Sequence, residues 1–158
     1  MRALAVLIVA ALASAVATGS NYREVQAAVR DDRMLESAGI TPANVAVRKQ
    51  CKAAIVETDD PPDFFDCVYV QTEHDLNLFS LEEGFLISEL QITMNNIDGV
   101  ALQHMGKYSQ VQIFDDNRVA ALFIHDKSWI DTKQTEAVYT WLLEHGARSR
   151  EPVKWIGP

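Results

Sequence analysis

The sequence predicts an α+β fold: an antiparallel meander of about seven strands with a C-terminal helix packed on the sheet and a helical extension in front of it. Three observations carry this reading. From Cys51 onwards β-branched and aromatic residues recur with period two, turn signals interrupt them roughly every 8–12 residues, and one well-capped amphipathic stretch follows the last strand. A chain of 158 residues, 48% of them hydrophobic, has room for one such domain, since at this size roughly two-thirds of the unfolded surface can be buried.

The extension comes first. Val25, Ala28, Val29, Met34 and Leu35 approximate helical spacing over residues 21–38, and Gly39 stands as a stop signal. Thr41 and Pro42 then supply an N-cap and a proline at the first helical position, which predicts a second short helix running through Val45 and Val47. The expected strands are residues 52–56, 64–71, 76–80, 85–93, 100–104, 108–114 and 118–125. Val111 and Ile113 share one face of their strand while Gln110 and Gln112 share the other, as a half-buried strand requires. The run Val119, Ala120, Ala121, Leu122, Phe123, Ile124 is apolar on both faces and predicts a covered, central strand. Asp131 is an acidic N-cap with Gln134 at the third helical position. Ala137, Val138, Trp141 and Leu142 form the apolar stripe of this last helix, with Trp141 as a core anchor, and Gly146 is placed to end it. The tail, residues 147–158, is polar and predicted to be loosely ordered.

Ahead of all this, Arg2 precedes an apolar run over residues 3–17 that ends in the small-residue pattern Ala15, Val16, Ala17. One cation, a hydrophobic stretch and such a site predict a secretory signal peptide over residues 1–17 and a secreted or periplasmic protein. The competing readings are a membrane anchor formed by residues 3–17, although a bilayer span takes about 20 apolar residues, and a buried helix. In an oxidising compartment Cys51 and Cys67 are each other's only partner within the chain. If the strands around the Asp59, Asp60, Pro61, Pro62 turn pair antiparallel, the two cysteines fall opposite one another. Two buried free thiols are the alternative. No C-x-x-C spacing points to redox chemistry.

The run Cys67 to Thr72 leading into Leu76 to Ser80, the segment Ile97, Asp98, Gly99, Val100, the hairpin from Tyr108 to His125 and the helix from Thr132 to His145 together resemble a pleckstrin-homology (PH) domain. The resemblance is to the small bacterial PH and GRAM-like versions and covers about residues 51–146. It implies a seven-stranded bent sheet closed at one end by the helix, in a family that commonly binds lipid headgroups, peptides or proteins and is generally not enzymatic. Residues 21–50 are then a helical extension to this domain. Phosphoinositide recognition is not implied for this chain, because the first hairpin is acidic where the lipid-binding pattern is basic. An α+β sandwich of the profilin or roadblock kind would need a helix between the strands, and none is legible between Cys51 and Trp129.

Charge distribution is the sharpest feature. The chain has 14 Lys and Arg against 22 Asp and Glu, a formal charge of −8, and eleven of those acids lie between Lys52 and Lys107, where there is no cation. Neutralising nucleic-acid phosphates or binding an anionic membrane surface requires clustered Lys and Arg, so neither partner is predicted. An acidic face formed by Asp59, Asp60, Asp63, Asp66, Glu73 and Asp75 could meet a cationic protein or peptide, hold Ca²⁺, or simply be solvated. The loop lacks the D-x-[DN]-x-[DN]-G pattern, so no metal or other cofactor is predicted, with calcium as the alternative. His74, His104, His125 and His145 are scattered one per element, and neither a G-x-S-x-G nor a phosphate-cradling glycine motif is present. The prediction is an exported, non-catalytic binding or interaction protein with no catalytic residues to name. Its rivals are an exported enzyme whose His and carboxylate groups converge only in the fold, and an accessory subunit docking through the extension and Trp155 and Ile156.

Overall fold

A computed structural model describes residues 22–57, 62–116, 118–126 and 129–154. The predicted signal peptide, Asp59, Asp60, Trp155 and Ile156 lie outside the described residues.

The elements are α1 (residues 22–28), α2 (Asp32–Ser37), β1 (Val45–Val56), β2 (Phe65–Thr72), β3 (Asp75–Glu82), β4 (Phe85–Thr93), β5 (Gly99–Met105), β6 (Tyr108–Asp115), β7 (Arg118–Asp126), β8 (Trp129–Ile130) and α3 (Thr132–Glu144). Seven strands form one antiparallel path in the order β4-β3-β2-β1-β7-β6-β5, with the two-residue β8 paired to β7. Strand alternation sorts the side chains into two cores. Cys51, Tyr69, Leu78, Val111, Leu122 and Ile124 line the inner face, where Val138 and Leu142 of α3 complete the core. On the outer face Val68, Val70 and Phe79 are covered by Val25 and Ala28 of α1 and Leu35 of α2. β7 lies between β1 and β6 with Ala120 to Ile124 buried, the covered central strand that its two apolar faces predict.

Two predictions for the extension need correction. A single helix over residues 21–38 is broken at Val29 to Asp31, because Asp31 leaves helical geometry to accept the Arg33 N–H at 3.0 Å and so caps α2. The second helix is only a 3₁₀ turn, Pro42–Asn44, after which Val45 and Val47 enter β1. Local start signals favour a helix there, but pairing of Val45 to Ala53 with β2 along a pleated surface suits the two valines better. The sheet therefore begins at Val45, inside the stretch read as helical extension.

α3 is specified at both ends. Asp131 Oδ1 accepts the Gln134 N–H at 2.9 Å. At the other end Gly146 adopts φ +98°, its N–H reaches Leu143 O at 3.2 Å, and the Ala147 N–H reaches Leu142 O at 3.0 Å, a Schellman closure that needs the left-handed residue. The stripe is rotated from the one expected: Thr135, Val138 and Leu142 are buried, Trp141 is half-buried and Ala137 is exposed. Thr135 causes this, since its Oγ1 accepts the Ile124 N–H at 3.0 Å and donates to Asp131 O at 2.8 Å, stitching α3 to β7.

The tail is also not loose as far as Val153. Arg148 O accepts the Val100 N–H at 2.7 Å and the Arg150 N–H reaches Val100 O at 2.8 Å, so the tail adds parallel to β5. It continues across β6, which is why Gln110 and Gln112, predicted to face solvent, are fully buried. Gly99 sits under this crossing: a Cβ there would meet Arg150 Cδ at 2.4 Å and Arg148 O at 3.0 Å.

Candidate functional site

β1 is the longest strand, and its neighbours do not match it. β2 accompanies it from Val45, whereas β7 joins only at Gln50, opposite His125. Past that point the chain turns into β8, which pairs back onto β7. Among the described residues the edge of β1 from Val45 to Lys49 therefore has no strand on its β7 side. The direction of its open hydrogen-bonding groups follows from β7. Ile124 turns its N–H to Thr135 Oγ1 and its carbonyl to the Asp131 N–H, both away from β1. Successive residues alternate, so His125 and Gln50 bond to one another, and Arg48, two residues back, aims its N–H and C=O at the open edge.

A groove runs along this edge between β1 and α3. Its middle is a space of about 400 Å³ lined by Val47, Lys49, Gln71, Gln134, Val138 and Trp141. Trp141 and Ala46 also border a wider depression of about 800 Å³ with Ile40, Glu73, Asp75 and His145. Arg48, Lys49 and Gln134 likewise border a third space of about 300 Å³ that continues past Gln26, Arg30 and His125. Trp141 stacks on His145 with ring centroids 3.7 Å apart, which holds the indole at the junction of the first two spaces.

The groove has graded chemistry. Arg30, Arg48 and Lys49 gather at the α1 end, where Arg48 Nη1 contacts Asp32 Oδ1 at 2.6 Å on the surface. Glu73 and Asp75 stand at the other end, on the β2–β3 turn that the Thr72 hydroxyl organises by accepting the His74 and Asp75 N–H groups. Gln71, fully buried, lines the middle. Burial pushes the Tyr69 phenol far above its ordinary range, so it stays protonated and donates to Gln71 Oε1 at 2.5 Å. Among the described residues the buried Gln71 Nε2 has no hydrogen-bond partner, an arrangement that costs about 1–3 kcal/mol unless something accepts from it.

The residues singled out in the sequence fare differently. Cys51 and Cys67 are directly opposite in the β1–β2 register and form a disulfide of S–S 2.05 Å, both fully buried. A buried disulfide is consistent with folding in an oxidising compartment. Asp63 and Asp66 stand at the start of β2, with Asp66 across from Lys52, while Glu73 and Asp75 follow its end. About 20 Å of strand separates the two pairs, so the structure does not gather these four into one patch. Among the described residues no three His, Cys, Asp or Glu side chains are placed to share a metal ion. His104 approaches the Ser109 hydroxyl at 3.1 Å, and that hydroxyl donates to Glu136 Oε1 at 2.7 Å. The hydroxyl sits between imidazole and carboxylate and Ser109 is 1% exposed, whereas an activated nucleophile needs the base in the middle and an open approach. Arg48, Gln71 and the edge of β1 were not legible as a site; the alternation of Val45 and Val47 with Arg48 and Gln50 was the available signal.

No protein-family model matches the chain, and no curated protein matches it. Solved structures do. One of the Vav1 exchange factor, concerned with its PH and C1 domains, superposes with a TM-score of 0.50 over 82% of this chain at 8% identity. The linker-DH/PH domains of p115-RhoGEF give 0.46 over 82% at 7% identity, and the hSac2 domain of the human phosphoinositide phosphatase Sac2 gives 0.44 over 80% at 10% identity. This chain spans 35% of the Vav1 chain, 39% of the p115-RhoGEF chain and 92% of the Sac2 domain. At such identities the likeness concerns the fold alone, and on the Vav1 superposition, with the strand order and the C-terminal helix, the chain has a PH-like fold.

Proposed function

We propose that this protein is an exported, non-catalytic binding module of the small bacterial PH or GRAM-like kind, which takes up an extended segment of a partner protein beside β1. The observation that carries the reading is the open edge of Val45 to Lys49 lying in a groove. An added strand would gain main-chain hydrogen bonds from β1 and side-chain specificity from the flanking helix, a recurring mode of peptide recognition. Export is supported by the signal-like residues 1–17 and by the buried disulfide. The acidic middle of the chain enters this reading through Glu73 and Asp75, which give a cationic side chain of the partner a place at one end of the groove.

A displayed random-peptide library panned on the purified, disulfide-bonded protein tests the reading. Enriched peptides should lose binding to Trp141→Ala when circular dichroism shows that variant folded. No enrichment, or enrichment that Trp141→Ala leaves intact, would contradict it.

A further inference from the structure

The groove also specifies what kind of segment it takes and in which direction, an inference that rests on the proposed strand addition. Antiparallel addition is the slightly more stable pairing, so a ligand strand would run from the Gln50 end of the edge towards Val45. Its side chains would alternate between the two faces of the sheet. A residue opposite Arg48 would share the outer face with Arg48 and lie towards Arg30. The next residue, opposite Val47, would share the inner face with Val47 and lie towards Trp141 and Val138. Past the irregularity between Val45 and Val47, the strand would reach Glu73 and Asp75. The Gln71 amide is fully buried and borders the middle space, and its Nε2 has no acceptor among the described residues.

We propose that the groove selects an extended segment, running antiparallel to β1, in which an acidic residue is followed directly by an apolar one and, one or two positions later, by a cation. The acidic side chain joins Arg48 and Arg30, with Asp32 giving up its exposed contact to Arg48. The apolar side chain covers Trp141, and the strand brings a carbonyl within reach of Gln71 Nε2. The cation meets Glu73 and Asp75.

Calorimetric titration of the full protein with two synthetic peptides decides it: acetyl-Thr-Glu-Leu-Thr-Lys-Thr-amide and the same composition reversed, acetyl-Thr-Lys-Thr-Leu-Glu-Thr-amide. The first should bind, weaken about fivefold with Arg48→Glu, and weaken on the order of tenfold with Trp141→Ala. The double variant Tyr69→Phe with Gln71→Leu, which removes the amide together with the buried hydroxyl that donates to it, separates recognition from folding: it should lower affinity while leaving thermal stability close to that of the native protein. Equal affinity for the two peptides, or no effect of Arg48→Glu, overturns the inference. If library peptides that depend on Trp141 are enriched without this charge order, strand addition stands and only the stated specificity falls. Protein dimers that exclude the peptide would assign the edge to a second copy and overturn it as well.

Discussion

Gln112 and Val153 are joined by a reciprocal pair of hydrogen bonds: Gln112 Nε2 donates to Val153 O at 2.6 Å, and the Val153 N–H donates to Gln112 Oε1 at 2.7 Å. A side-chain amide thus stands in for a strand neighbour and holds the tail beyond its bridge to Val100. Gln112→Ala removes both bonds from a buried position, together with those that Nε2 donates to Gln103 Oε1 and Gln110 Oε1 at 2.9 Å. It should cost about 1–3 kcal/mol in urea unfolding and open the segment after Ala147 to limited proteolysis. An unchanged cleavage pattern would show that the tail does not depend on this pair.

Gly99 serves the same tail from the other side. With Gly99→Ala, the methyl group needs space held by the Arg150 side chain, which can swing away, and by Arg148 O, which cannot without loosening the Val100 N–H bond at 2.7 Å. Gly99→Ala should therefore destabilise the protein and raise tail proteolysis. Its effect should be clearly less than additive with Gln112→Ala, since both act on one segment; full additivity would separate the two contacts.

The disulfide joins neighbours across β1 and β2 and closes a loop of sequence separation 16. Replacing both cysteines by Ala should lower unfolding free energy by about 3 kcal/mol. The native protein, denatured without reductant, should give no reaction in a thiol assay. Two reactive thiols would contradict the pairing.

His125 should make stability depend on pH. Its ring nitrogens are buried near the Tyr22 ring and have no hydrogen-bond partners among the described residues. Burial lowers its pKa below the ordinary 6.5, Lys52 adds to that, and Asp66 opposes it. As pH falls below 6.5 the unfolded chain protonates first, so the folded state loses stability until the lower folded pKa is passed. His125→Phe keeps an aromatic ring and removes the proton. The stability difference between the two proteins should be flat above pH 7 and move in favour of the variant between pH 7 and 5. A difference that stays flat would mean that His125 protonates equally well in both states.

Much of this fold is legible locally, and the site is not. The caps of α3 follow from Asp131 and Gly146, the facing cysteines from antiparallel pairing of the two strands that carry them, and the covered strand from Val119 to Ile124. Each depends on neighbours close in sequence or on one periodicity. Gln110 and Gln112 read as solvent-facing because a tail some 40 residues further on covers them. Val45 and Val47 read as helical because Thr41 and Pro42 are a genuine start signal, spent on a single 3₁₀ turn. The open edge arises from a difference in length: β1 begins five residues before its register with β7 does. No local pattern encodes that difference.

Amide hydrogen exchange at Arg48 tests the central claim most directly. With a library-selected peptide at saturation, the Arg48 amide should slow by about tenfold or more, while the Lys49 amide, which alternation turns towards β2, stays as it was. An Arg48 amide that exchanges at the same rate with the peptide bound would contradict strand addition at this edge.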